Sequence, residues 1–219
     1  MTFPKAVVFD LDGTLIDSAP DLRFALNRLL NNEGRRELSL DEVIGMIGDG
    51  VPKLVERGFQ ATGSVPETDT LAERVSVFVS DYEINATVHT KLFPGAFQVL
   101  EALRDAGVLI GLCTNKPVQA TREILAEFEV EGLFNSVVGG DTLGGIRKPD
   151  PRHLQAVLDE LNVSAGDAVM VGDSANDIAV AKNAGVKAIA VSFGYCHGPV
   201  SELDADAVID HFDNLLDAL

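Results

Sequence analysis

The chain has 219 residues, of which 46% are hydrophobic and 23% charged, as is usual for a folded domain and unusual for a disordered segment. Its 17 Lys and Arg residues against 34 Asp and Glu residues give a formal charge of −17, which disfavours nucleic acid and anionic membranes as partners. Two cysteines without metal-binding spacing argue against a disulfide framework. Because the N-terminus shows no signal-peptide pattern, we expect a protein of the reducing cytoplasm.

Six short apolar runs between turn residues predict β-strands. They cover Ala6–Phe9, Val108–Cys113, Ser136–Val138, Ala168–Val171, Ala188–Val191 and Ala207–Ile209. Amphipathic helical patterns lie between most of these runs. Strands that alternate with helices predict parallel βαβ units, so we expect an α/β fold with a doubly wound parallel sheet.

One segment interrupts the alternation, because only helical patterns occur between about Pro20 and Val88. Apolar residues recur there at helical spacing, at Leu22, Ala25, Leu26, Leu29 and Leu30 and again at Leu71, Val75, Phe78, Val79 and Tyr82. Ser18 with Asp21, and Ser39 with Glu42, have the spacing of capping boxes at helix starts. We therefore predict an α-helical domain over residues 18–88, inserted into an α/β core domain formed by residues 1–17 and 89–219.

Polar residues follow four of the predicted strands. They are Asp10-Leu11-Asp12-Gly13-Thr14, Thr114-Asn115-Lys116, Lys148-Pro149-Asp150-Pro151 and Gly172-Asp173-Ser174-Ala175-Asn176-Asp177. Ligands of doubly wound sheets bind beyond the carboxyl ends of the strands. Carboxylates, a hydroxyl group, an amide and an amine are thus expected to meet at one edge of the sheet.

These groups suit phosphoryl transfer, in which a nucleophile must be held in line and negative charge neutralised. Asp10 is the candidate nucleophile, which would form an acyl phosphate. Asp12 can protonate the leaving oxygen and then activate water. Gly13 permits a sharp turn, which would let backbone N–H groups face the phosphate.

The remaining motif residues supply charge and hydrogen bonds. Thr114 and Asn115 can donate hydrogen bonds to phosphate oxygens, and Lys148 can hold a positive charge beside the nucleophile. Clustered carboxylates need a cation, and hard oxygen ligands favour Mg²⁺. Asp10 and Asp173 are its expected direct ligands.

The four motifs, in this order, resemble those of the haloacid dehalogenase superfamily of phosphatases. The resemblance covers nearly the whole chain. The resemblance implies the roles given above for Asp10, Asp12, Thr114 and Lys148. It also implies that Mg²⁺ binds Asp10, the backbone carbonyl of Asp12, Asp173 and Asp177, and that residues 18–88 form an α-helical cap over the site. True dehalogenases lack an acid at the position of Asp12, so this residue favours phosphatase or phosphomutase chemistry.

Within the superfamily the chain is similar to phosphoglycolate phosphatases, through Asp17-Ser18-Ala19-Pro20-Asp21, Ile47-Gly48-Asp49-Gly50 and Thr114-Asn115-Lys116-Pro117. The resemblance implies a small phosphorylated metabolite as substrate, with 2-phosphoglycolate favoured.

Several alternatives stay open at this point. The enzyme could hydrolyse another small ester, or it could be a phosphomutase resembling β-phosphoglucomutase. A non-enzymatic phospho-receiver domain shares the Asp, Thr, Lys and Mg²⁺ set, but the helical insert and the acids after the fourth strand argue against it. Asp177 could serve chiefly as a helix cap with Ser174, and Arg57 could face a substrate carboxylate or simply solvent. The sequence does not decide between monomer and homodimer.

Overall fold

The computed structural model describes residues 3–219, which divide into two compact units. One unit combines the segment that ends at Asp17 with Leu92–Leu219, and the other is Ser18–Lys91. The sequence predicts that the core domain resumes at residue 89, slightly before Leu92, where the second segment of the core unit begins. Within the described residues, no helix is both long and apolar enough to cross a lipid bilayer.

The strands and helices follow one another in the predicted alternation. The strands are β1 Ala6–Phe9, β2 Ile16–Asp17, β3 Lys91–Leu92, β4 Leu109–Cys113, β5 Ser136–Val138, β6 Ala168–Gly172, β7 Lys187–Val191 and β8 Ala207–Ile209. The helices are α1 Ala19–Asn32, α2 Leu40–Ile44, α3 Val51–Thr62, α4 Thr68–Asn85, α5 Ala96–Asp105, α6 Val118–Glu127, α7 Pro151–Leu161, α8 Ala175–Ala184 and α9 Leu215–Ala218.

The core unit contains a six-stranded parallel sheet with the order β5-β4-β1-β6-β7-β8. β1 lies between β4 and β6, with Ala6 opposite both Leu109 and Ala168. The chain builds outward from β1 on one side and then crosses to the other. The predicted doubly wound α/β sheet is therefore confirmed, together with all six of its predicted strands.

Helices cover both faces of this sheet, which explains why its strands are continuous apolar runs. Every residue of β1 is fully buried. Val8 shares a core cluster with Leu154 and Val157 of α7, whereas the Phe9 ring packs 6.3 Å from that of Phe212. Burial of each such side chain contributes about 1.5–3 kcal/mol, so the packing holds β1 firmly at the centre of the sheet.

The helical unit contains α1 to α4. The Asn27 side chain of α1 joins it to the chain before α2, because its amide N–H donates to the Leu38 carbonyl oxygen and its oxygen accepts from the Leu38 N–H. The predicted capping box of Ser39 and Glu42 is confirmed.

The predicted capping box of Ser18 and Asp21 is wrong, because Ser18 makes no side-chain capping hydrogen bond at the start of α1. The buried Asp21 carboxylate instead accepts the backbone N–H groups of His89 and Thr90 at 2.8 Å each. The Thr90 hydroxyl donates to the same carboxylate at 2.9 Å. Asp21 therefore joins the two ends of the helical unit and supplies the acceptor that the buried Thr90 N–H needs.

Candidate active site

The predicted site residues converge at the carboxyl end of the sheet. Asp10, Thr114 and Asp173 directly follow β1, β4 and β6, and these strands are neighbours with β1 in the middle. Lys148 comes from the loop before α7, and Asp177 lies in the first turn of α8. Parallel pairing thus collects side chains that are far apart in the sequence.

Lys148 forms the electrostatic centre of this group. Its Nζ lies 2.6 Å from an oxygen of Asp10 and 2.6 Å from an oxygen of Asp177, and its side chain is almost fully buried. Burial disfavours the charged amine, but the two carboxylates outweigh this effect and raise the pKa of Lys148 above its usual value. Lys148 is therefore a permanent cation beside the candidate nucleophile.

Asn115 holds Lys148 in place. Its side-chain oxygen accepts the Lys148 backbone N–H at 2.9 Å, and its amide donates to the Lys148 carbonyl oxygen at 3.2 Å. The Asn115 amide thus joins the second and third motifs, and its contact with phosphate stays a prediction. Thr114 is equally buried, and its hydroxyl oxygen accepts the Lys116 N–H at 3.2 Å.

The acids of the site repel one another in a buried setting. Burial raises the pKa of Asp10 to about 7, an effect that Lys148 reduces and Asp177 increases. Burial, Asp177 and Asp10 also raise the pKa of Asp173 well above its usual range. Without a further cation, part of this carboxyl cluster would hold protons near neutral pH.

Asp173 is held by groups from two other segments. The Thr14 hydroxyl donates to one carboxylate oxygen at 3.0 Å, and the Tyr195 backbone N–H donates to the other at 2.7 Å. Gly13 lies against this carboxylate with a φ of +84°, and a Cβ there would stand 2.3 Å from Asp173 Oδ2. Glycine is thus required at position 13 for both its conformation and its lack of a side chain.

Gly13 lies in a tight turn after β1, with a positive φ of +84°. Its N–H donates to the Ile16 carbonyl oxygen at 2.9 Å and so closes the turn after β1. Gly13 also leaves space beside the Asp173 carboxylate.

Asp177 is a helix cap, as the sequence allowed, and it also contacts Lys148. One carboxylate oxygen accepts hydrogen bonds from the Ser174 N–H at 2.9 Å and from the Ser174 hydroxyl at 2.6 Å. These bonds form part of a capping box at the start of α8. The other oxygen accepts from Lys148. Asp177 is also fully buried beside Asp10 and Asp173.

The residues present fit a hard divalent cation. Asp10, Asp173 and Asp177 each offer a carboxylate oxygen, and these three atoms lie within 4.8 Å of one another. All are oxygen donors, which suits Mg²⁺ better than softer metals. A divalent cation would also relieve the repulsion that raises the pKa values of Asp10 and Asp173.

Two further residues of the site were not predicted. Lys116 Nζ lies 2.9 Å and 3.2 Å from the two oxygens of Asp12. The Tyr195 hydroxyl donates to Asp17 at 2.6 Å, while its backbone N–H binds Asp173. Lys116 could have been suspected because it follows Thr114 at a strand end, whereas nothing in the local sequence indicates Tyr195.

The helical unit contains the other residues singled out from the sequence. Arg57 donates to Asp49 at 2.5 Å and to the Met46 carbonyl oxygen at 2.9 Å. Gly48 and Gly50 flank Asp49 with φ values of +118° and +85°. Arg57 therefore orders the Gly48-Asp49-Gly50 turn from within its own unit.

The chain matches known proteins over almost its whole length. Residues 4–185 fit the family model described as haloacid dehalogenase-like hydrolase. A protein of Cereibacter sphaeroides named phosphoglycolate phosphatase is 44% identical over 213 residues, which cover 97% of this chain and 96% of the relative. One from Rhodospirillum rubrum with the same name is 43% identical and is covered to 91%. A crystal structure of a predicted phosphoglycolate phosphatase from Haemophilus somnus superposes with a TM-score of 0.94 at 30% identity, covering 100% and 99% of the two chains.

Proposed function

The chain belongs to the haloacid dehalogenase-like hydrolase family and is a phosphatase, and from that premise we propose that it converts 2-phosphoglycolate into glycolate and phosphate. The observation that carries the chemistry is the buried contact of Lys148 with Asp10 and Asp177. It places a fixed cation beside a carboxylate at the end of the central strand. The names of the full-length relatives support the choice of substrate.

In the first proposed step, an oxygen of Asp10 attacks the phosphorus atom. The bond between phosphorus and the leaving oxygen breaks, and Asp12 donates a proton to that oxygen as glycolate departs. The product on the enzyme is an aspartyl phosphate at Asp10. Lys148 stabilises the negative charge of the phosphoryl oxygens throughout, which is commonly a large part of such catalysis.

In the second proposed step, Asp12 acts as the base. It accepts a proton from a water molecule, whose oxygen attacks phosphorus, and the bond between phosphorus and Asp10 breaks. Phosphate leaves, and Asp12 regains the proton that it needs for the next turnover. Thr114 donates a hydrogen bond to the phosphoryl group and so helps to keep it in line.

Mg²⁺ is the proposed cofactor, held by Asp10, Asp173 and the backbone carbonyl of Asp12, with Asp177 at the site. When bound, it would neutralise the acidic cluster and the phosphate oxygens. Thr14 and the Tyr195 N–H orient Asp173 for this purpose. Ser174 and Lys148 orient Asp177 in the same way.

The proposed partner is a small metabolite in the cytoplasm. The formal charge of −17 supports this proposal, because it disfavours nucleic acid and anionic lipid. The cation of the site and Lys148 would locally reverse the sign of that field for an anionic substrate.

A panel of phosphate esters tests the proposed substrate. Phosphate release is measured with Mg²⁺ for 2-phosphoglycolate and several sugar phosphates, and kcat/KM is compared. A lead of about a hundredfold for 2-phosphoglycolate corresponds to about 2.7 kcal/mol of transition-state preference. An isomerised sugar phosphate without phosphate release would instead indicate a mutase, and weak release from many esters would indicate a different substrate.

A further inference from the structure

Lys116 is a second buried lysine of the core unit, to which the proposed mechanism assigns no role. Its side chain is 3% exposed, and its Nζ contacts both oxygens of Asp12. A charged amine is stable in such a place only when an opposite charge compensates for the lost water. The contact thus differs from exposed ion pairs such as Lys5 with Asp167, whose side chains are 70% and 44% exposed.

The backbone that carries Lys116 is itself fixed. Its carbonyl oxygen accepts the Gly140 N–H at 2.8 Å, and its own N–H donates to the Thr114 hydroxyl at 3.2 Å. The chain at Gly140 approaches so closely that a Cβ there would stand 2.3 Å from the Asn115 carbonyl oxygen. The direction of the Lys116 side chain is therefore set by packing around the end of β4.

Each of the two buried lysines contacts one of the two acids of the first motif. Lys148 contacts the candidate nucleophile Asp10, and Lys116 contacts Asp12. We propose that Lys116 is a positioning residue that holds the Asp12 carboxyl group where it exchanges protons with the leaving oxygen and then with water. This role rests on the proposed function and adds a residue to its mechanism.

The leaving group separates this role from direct binding of phosphate. An alkoxide such as that of glycolate must receive a proton from Asp12 as its bond to phosphorus breaks. Acetate is stable as an anion, so it leaves acetyl phosphate without that proton. The same acyl phosphate forms at Asp10 from both substrates, and its hydrolysis needs Asp12 as the base in either case. Loss of Lys116 should therefore slow the first step for 2-phosphoglycolate and not for acetyl phosphate. It should slow the second step to the same extent for both substrates.

The test compares the wild-type protein with Lys116→Met, which has similar length and no charge. Lys5→Met serves as the matched control, because it removes an exposed ion pair of the same type. Each protein is assayed with Mg²⁺ on 2-phosphoglycolate and acetyl phosphate, with p-nitrophenyl phosphate as a second substrate whose leaving group needs no proton. The value of kcat/KM reports the first irreversible step and kcat the whole cycle.

We expect Lys116→Met to lower kcat/KM for 2-phosphoglycolate at least about tenfold more than for the two activated substrates, since proton transfer is commonly worth roughly a hundredfold or more. It should lower kcat for all three. Lys116→Arg, which keeps the charge, should restore part of the difference, and Lys5→Met should change neither parameter.

An equal loss of kcat/KM for all three substrates with a raised KM would overturn this role in favour of direct phosphate binding. An equal loss with an unchanged KM and a lowered Tm would reduce Lys116 to a structural residue, and wild-type values would exclude any role. If the wild-type protein releases phosphate from none of the three substrates, the proposed function itself fails, which is a distinct result.

Discussion

Replacing Lys148 with methionine removes a buried cation while keeping a side chain of similar length. The amine contacts Asp10 and Asp177 at 2.6 Å each, and Asp173 adds a third acid to the same cluster. The variant would leave these acids buried without their cation. We expect Lys148→Met to lower the free energy of unfolding of the metal-free protein by about 3–5 kcal/mol near neutral pH, as for other buried pairs that lose one partner.

The size of this loss should depend on pH in a definite direction. Burial raises the pKa of Asp10 to about 7 even though Lys148 lowers it, so the variant should have a still higher value. An acid whose folded pKa exceeds its unfolded value destabilises the fold as the pH rises from the unfolded to the folded pKa. Below pH 7, ionisation of Asp10 should therefore destabilise the two proteins to a similar extent. Above pH 7, the difference between their free energies of unfolding should grow.

Urea unfolding followed by circular dichroism, in the presence of a chelator at pH 5.5 and pH 8, measures both quantities. Lys5→Met is the control, and its exposed ion pair with Asp167 should contribute at most about 1 kcal/mol. A loss under about 1 kcal/mol for Lys148→Met, or a loss of equal size at both pH values, would refute the reasoning about the buried charges.

Three further results are expected. Asp10→Asn should remove turnover without unfolding the protein, and near-normal phosphate release by a folded variant would exclude Asp10 as the nucleophile. Chelation of divalent cations should abolish phosphate release and Mg²⁺ should restore it, so full activity in the chelator would contradict the proposed cofactor. Asp21→Asn should cost about 2–3 kcal/mol in unfolding experiments, because the N–H groups of His89 and Thr90 lose a charged acceptor. Burial opposes the charge of Asp21, but hydrogen bonds from His89 and Thr90 lower its pKa. The wild-type protein should therefore lose stability as the pH falls below about 4. The Asp21→Asn variant has no carboxyl group at this position, so it should not show this contribution to acid destabilisation.

The sheet could be predicted from the sequence because its strands are buried on both faces and therefore form continuous apolar runs. The site could be predicted in outline because parallel strands collect the residues that follow them, such as Asp10, Thr114 and Asp173. The direction of each side chain could not be predicted in the same way. The amide of Asn115 binds the Lys148 backbone, and this contact exists only once the two loops have packed together.

The same limit applies to contacts between distant segments. Asp21 has the spacing of a capping residue, yet its carboxylate serves N–H groups at the far end of the helical unit. Tyr195 enters the site through its backbone N–H, a group that every residue except proline carries, so no side-chain pattern could reveal it. Lys116 was visible in its motif, but its pairing with Asp12 depends on the close approach of β1 and β4.

Trapping the covalent intermediate tests the central claim most directly. The protein is mixed with Mg²⁺ and 2-phosphoglycolate, quenched with acid during turnover, and treated with borohydride, which reduces an acyl phosphate to an alcohol. Peptide mass spectrometry then locates the reduced residue. We predict homoserine at position 10, absent without substrate. Phosphate release with no reduced residue, or with a reduced residue elsewhere in the chain, would contradict the proposed attack by Asp10.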